Sequence, residues 1–142
     1  MSLKEIIEFA NRNPVCYVAT AEGDQPRVRG FSMWFADETG FYFQTGKPKR
    51  IYEQLLKNPK IEVCFYAQGS SPGAGKMLRV SGTVEFIDDL DLKKRVMSER
   101  AFLKDMGYDY NSLVIFRIIK GEAYFWTREN SLREKEIQTV KF

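Results

Sequence analysis

The sequence of 142 residues predicts a mainly β protein, an antiparallel sheet closing on itself as a barrel, with flanking helices. Three observations carry that expectation. Short β-branched and aromatic runs are separated by turn residues at hairpin distance. Few segments alternate strand with helix as a βαβ unit does. Aromatic residues reach 14% of the chain, and such side chains suit pleated, half-buried surfaces and a closed sheet.

The elements follow in order. Ser2 and Glu5 stand at capping-box spacing, and Leu3, Ile6, Ile7 and Ala10 then share one helical face until Asn13-Pro14 stops the helix. "VCYVAT" reads as a strand, "AEGDQP" as a turn, and the run from Arg27 onward as its hairpin partner. "ADETG" supplies another turn before a third strand, Phe41 to Thr45, which is expected to pair with the arginine strand. "GKPKR" leads into a helix with Ile51, Tyr52, Leu55 and Leu56 at helical spacing, ended by Asn58-Pro59. Ile61 to Ala67 is a fourth strand, "QGSSPGAGK" a loop, and Met77 to Ile87 a long fifth strand with Gly82 as a bend or close-approach point. From Asp88 to Gly107 the apolar positions Leu92, Val96, Phe102, Leu103 and Met106 are helical. Leu113 to Thr127 reads as a hairpin turning near Gly121, and Ile137, Val140 and Phe142 are anchors in a charged tail. With no repeat or linker, residues 1–142 are expected to form one domain.

Composition narrows the function classes. A net charge of +3 is too small and dispersed for a nucleic-acid partner. The amino terminus is too charged for a signal peptide and no run reaches membrane-spanning length, so a cytoplasmic protein with no membrane partner is expected. Cys16 and Cys64 lie in separate apolar runs outside any CxxC pattern and read as buried and reduced. Histidine is absent, which excludes Ser-His-Asp and Cys-His nucleophilic sites, histidine-ligated haem and the usual zinc sites; no metal site is expected and no catalytic residue stands out.

The chemistry-bearing pattern is basic. Alternation places Arg27 and Arg29 on one face of their strand, with Val28 and Gly30 on the other. Thr45, Lys47, Lys49 and Arg50 follow in the loop that feeds the second helix, whose first amides and macrodipole also attract anions. Arginine grips a phosphate bidentately, lysine adds point charge and Thr45 offers a hydroxyl. The competing reading is a set of solvent-facing charges on an edge strand and a loop. "GAGK" at Gly73–Lys76 lacks the earlier glycine and the Ser/Thr of a nucleotide-binding loop and reads as a hairpin loop. Asp88, Asp89 and Asp91 sit where a helix should start and read as caps. Trp126, near a strand end, is a planar wall or a packing residue.

The three segments "VCYVATAEGDQPRVRGFSMWF", "GFYFQTGKPKRIYEQLLKNPKIEVCFY" and "LRVSGTVEFI" together resemble the pyridoxamine 5'-phosphate oxidase-like family of FMN-binding split β-barrels. The resemblance covers about Val15 to Ile87 and continues more loosely through "YFW". It implies a Greek-key split barrel of the FMN-binding type and a homodimer with FMN at the subunit interface. It assigns the phosphate to Arg27, Arg29, Lys49 and Arg50, with Lys47 in the same loop. The strand from Val28 through Gly30 and Phe31 to Ser32 is placed beside the flavin ring, and Gln44 and Thr45 at the end of the third strand. Arg79 and Trp126 are assigned to closure over the ring from the other subunit. The short nitroimidazole-reductase-like and general-stress-protein-like members are the nearer resemblance, since the chain ends "EIQTVKF" without the basic terminal segment of a true oxidase. The expected function is an FMN-dependent oxidoreductase acting on a small acceptor. The alternatives are a flavin carrier or sensor without turnover, a relative that binds the deazaflavin F420, and a barrel with no cofactor.

Overall fold

The structure, a computed structural model, describes residues 1–142. Helix α1 (Leu3–Arg12) starts where Ser2 accepts the Glu5 N–H at 3.2 Å, and it buries Ile6, Phe9 and Ala10. Strands β1 (Val15–Glu22) and β2 (Gln25–Ser32) form a hairpin around Gly23, whose φ of 61° favours glycine. A second hairpin joins β3 (Phe35–Asp37) to β4 (Gly40–Gly46). Helix α2 (Arg50–Lys57) follows, then the hairpin of β5 (Lys60–Ala67) and β6 (Lys76–Ile87). Helix α3 (Leu90–Glu99) is capped by Asp89, which accepts the Leu92 N–H at 3.1 Å, and α4 (Phe102–Asp105) completes the helical excursion. Strand β7 (Leu113–Thr127), a 3-10 segment over Arg128–Glu136 and the short β8 (Val140–Lys141) end the chain.

All pairings are antiparallel, in the order β2-β1-β5-β6-β7-β4-β3 with β8 on β7. The expected ladder between the arginine strand and Phe41–Thr45 is not formed. Strand β2 pairs with β1, while β4 is flanked by β3 and by β7. The sheet instead curls until its two ends meet through side chains. Phe31 of β2 lies edge-on to Phe43 of β4 and to Phe116 of β7, with ring centroids 6.1 and 6.3 Å apart. The barrel is therefore split along the seam between β2 and β4.

Leu113–Thr127 is one strand of 15 residues and does not turn at Gly121. Gly121 pairs with Gly82, and a Cβ at either glycine would overlap the facing backbone, at Ser81 O or Lys120 O. These glycines allow two strands to cross closely as the sheet bends. A register shift just beyond them, with Thr83 opposite Lys120 and Val84 opposite Ile118, leaves Ile119 as a bulge residue that sharpens the bend.

Inside the barrel, 20 buried residues including Phe41, Phe43, Phe65 and Phe116 form one cluster. Each such ring contributes about 1.5–3 kcal/mol by leaving water. The opposite face of β4 places Tyr42 with Val96, Leu103, Leu113 and Ile115 under α3 and α4. Val140 and Phe142 pack on the main cluster, and Phe142 lies 5.4 Å from the Phe41 ring, so the tail anchors as expected. Cys16 is buried in the barrel, Cys64 is half-buried, and both are free thiols. No helix is long and apolar enough to cross a membrane.

Candidate functional site

On β2, Arg27 stands opposite Thr20 and Arg29 opposite Val18, both buried residues, so the two arginines share the inward face where the barrel is open. They line a cleft of about 700 Å3 with Glu22, Lys49, Arg50 and Gln54. Four cations and one carboxylate thus converge at the start of α2. Of the five basic residues expected to converge, Arg27, Arg29, Lys49 and Arg50 do and Lys47 does not, and the ladder expected to bring them together is not formed. The curl of the sheet and the placement of α2 beside β1 produce the convergence.

The two arginines differ in how they are held. Arg27 donates through Nη2 and Nε to Glu22 Oε1 at 2.9 and 3.1 Å. Arg29 meets only neutral oxygens: Thr20 Oγ1 at 2.8 Å, Gln54 Oε1 at 2.6 Å and the Val18 carbonyl at 3.3 Å. Burial, then the charge of Arg27, pulls the Arg29 guanidinium below its ordinary value. That is the behaviour of a cation lacking its counter-charge. The bond from Arg27, followed by that from Gln54, holds the Glu22 carboxyl below its usual range. Lys49 is the residue before α2; its Nζ lies 5.6 Å from the Phe31 ring centroid, which carries the basic group to the seam.

Arg27, Val28, Arg29, Gly30, Lys49 and Arg50 all line this cleft. Phe31 is half-buried at the seam and Ser32 is exposed just beyond it. Thr45 is 2% exposed and its hydroxyl has no hydrogen-bond partner. Gln44 accepts from Arg100 Nη1 at 3.3 Å. Lys47 is directed elsewhere: it lines a separate cleft with Tyr52, Phe86 and Lys93, and its N–H donates to Ser112 O at 2.9 Å. Arg79 forms an ion pair with Glu62 and packs near the Tyr124 ring, while Trp126 pairs with Met77 on the next strand. Neither Arg79 nor Trp126 reaches the cleft of its own chain. They lie on the barrel's outer surface, where Val15, Tyr17, Val28 and Tyr66 remain 64%, 54%, 70% and 42% exposed.

Four residues of this region were not singled out from the sequence. Glu22, Thr20 and Gln54 build the polar floor under the arginines, with Thr20 Oγ1 and Gln54 Oε1 2.6 Å apart. Gln54 carries a weak signal, a polar residue one position before Leu55 on an amphipathic helix. Arg100 carries none, since its partners lie more than fifty residues away. No cluster of three or more His, Cys, Asp or Glu side chains is placed to hold a metal ion.

A barrel split along one seam, with a basic cleft beside the seam and an apolar outer face, defines a split-barrel protein with an open cationic cleft. The family model described as pyridoxamine 5'-phosphate oxidase matches residues 2–127, and the chain belongs to that family. Among solved structures it is similar to a NimC/NimA family protein from Clostridium acetobutylicum, at 27% identity and a TM-score of 0.76, covering 100% of this chain and 94% of that one. It is also similar to a FAD-binding protein from Mesorhizobium loti, at 25% identity and a TM-score of 0.66, over 84% and 87% of the two chains. General Stress Protein 26 from Bacillus anthracis, at 16% identity, a TM-score of 0.73 and full coverage of both chains, shares the fold. No curated protein matches the sequence.

Proposed function

We propose that this protein binds FMN as a homodimer and acts as an oxidoreductase that passes electrons through the flavin to a small acceptor. The observation that carries the reading is Arg29, a half-buried cation with no carboxylate partner, in one cleft with Lys49 and Arg50 at a helix N-terminus. A phosphate dianion supplies the missing charge. The buried hydroxyl of Thr45 also lacks a partner, but it does not line this cleft and carries no part of the reading.

The rest of the site fits a ligand with a phosphate at one end and a planar ring at the other. From Arg29 to Ser32 the extended backbone advances about 10 Å, the kind of span a five-carbon linker bridges. Strand β2 is an edge strand, so one side of its backbone is free to bond the polar rim of a ring. The bound flavin would supply the two-electron chemistry. The chain's own residues do the holding: Arg29, Lys49 and Arg50 anchor the phosphate, the backbone from Val28 to Ser32 orients the ring, and Phe31 excludes water from the seam. The exposed Val15, Tyr17, Val28 and Tyr66 form the surface for a second copy, whose Arg79 and Trp126 complete the site. The family membership and the similarity to a FAD-binding protein support the flavin.

The visible absorption spectrum of the purified protein tests this, with FMN added and after denaturation. A flavin spectrum that survives desalting, with FMN released on unfolding, is the expected result. A colourless protein indifferent to added FMN overturns it, and competition by F420 reassigns the ligand.

A further inference from the structure

Arg100, the residue that ends α3, reaches across the seam. Its Nη2 donates to the Met33 carbonyl at 2.6 Å, and its Nη1 to the Ser32 carbonyl at 3.0 Å and to Gln44 Oε1 at 3.3 Å. One guanidinium therefore ties the exit of β2 to the far end of β4, two strands that share no ladder. The end of α3 that presents it is itself fixed. Trp34 Nε1 donates to Glu99 Oε1 at 3.0 Å, and the Arg95 guanidinium lies 5.0 and 4.8 Å from the Trp34 and Phe35 ring centroids. A planar, rigid fork suits this task, because its donors leave in fixed directions.

The contact with Gln44 has a chemical consequence. A carboxamide has one acceptor and one donor end, and its orientation is set by its partners. With Oε1 engaged by Arg100, the NH2 of Gln44 is the end left over, and it donates to nothing in the chain. We propose that Arg100 is a positioning residue for the ring end of the site: it holds the seam closed and fixes Gln44 as a hydrogen-bond donor to an acceptor atom on the ligand ring. This rests on the flavin reading above and adds to it a residue outside the phosphate cleft. It also separates two functions within one site, phosphate anchoring at Arg29 and Lys49 and ring orientation at Ser32 and Gln44.

The test compares FMN and riboflavin, which share the ring and differ in the phosphate. Dissociation constants are read by fluorescence quenching for wild type, Arg100→Ala, Gln44→Ala and the double variant. Arg100→Ala is expected to weaken both ligands by a similar factor, about tenfold, as loss of a charge-assisted bond network implies, so the ratio of their affinities stays unchanged. The double variant should lose little beyond either single one, because the two residues act as a unit. The visible circular dichroism of bound flavin should change in Arg100→Ala and recover in part in Arg100→Lys, which keeps the charge and a donor group but not the planar fork. If Arg100→Ala does not fold, Arg100→Lys carries the comparison, with a smaller loss expected. Unchanged affinities and dichroism with only a lowered Tm, or losses that add in the double variant, overturn the proposal while leaving the flavin reading intact. Failure of the wild type to bind either ligand overturns both.

Discussion

Arg29 and Arg117 are half-buried arginines on strands of the same barrel, and their surroundings give them opposite character. Arg117 donates to the Tyr42 hydroxyl at 2.8 Å and to the Glu85 carboxylate at 3.1 Å, and the first of these bonds, above all, raises its affinity for its proton. Arg29 is surrounded by a carbonyl, a hydroxyl and an amide, and its proton affinity falls. Neutral acceptors satisfy the N–H groups of a guanidinium without cancelling its charge. Arg117 therefore has its counter-charge within the chain, although its buried Nε is left without a hydrogen-bond partner, whereas Arg29 has no carboxylate partner in the chain.

The largest expected effect breaks the ligand side of this comparison. Arg29→Ala combined with Lys49→Ala should weaken FMN binding by about 2–5 kcal/mol, as removing charged partners of a phosphate does. A fluorescence titration that finds the affinity unchanged would make Arg29 as structural as Arg117. Arg117→Ala should act on the fold instead, costing about 1–3 kcal/mol in urea unfolding because Tyr42 and Glu85 lose their partner. FMN affinity per folded molecule should not change; a loss would place Arg117 in the site.

Smaller effects sharpen the contrast. Glu22 competes with a ligand for Arg27, so Glu22→Gln should tighten FMN binding, by no more than about fivefold for an exposed pair. A weaker complex, read in the same titration, would show that Glu22 organises the cleft. Because its carboxyl is depressed from 4.5, the Glu22–Arg27 pair stabilises the fold above that pH and is lost as pH falls through the folded value. The smallest effect is alkaline. Burial, chiefly, pushes the Cys16 thiol from 9.0 up to about 12, so the folded chain keeps a proton that the unfolded chain releases. Stability contributed by Cys16 should be intact below pH 9 and fall between 9 and about 12, which comparison of unfolding in wild type and Cys16→Ala would measure. An identical pH profile in the two proteins would remove Cys16 from that account.

Much of the fold and the cationic half of the site were legible in the sequence, for local reasons. Period-two alternation placed Arg27 and Arg29 together, and turn residues marked the β1–β2 and β5–β6 hairpins. Gly121 misled, because a glycine at a turn and a glycine at a close strand crossing look alike until the partner strand is known. The neighbour of β4 misled for a related reason: a turn after Phe35 admits β2 or the three-residue β3 as its partner, and the sequence does not weigh them. Glu22, Thr20, Gln54 and Arg100 were silent, since each matters through a residue brought near only by closure of the sheet.

The sequence by itself determined the antiparallel barrel with flanking helices, a basic strand facing a basic loop, and the absence of histidine chemistry, because composition and short-range periodicity are local properties of the chain. Tertiary structure alone decided which arginine keeps an unbalanced charge, that Lys47 leaves the cluster, and that Arg100 bridges the seam. Those outcomes depend on the curl of β6 and β7 past Gly82 and Gly121, which sets distances between residues that no local pattern relates.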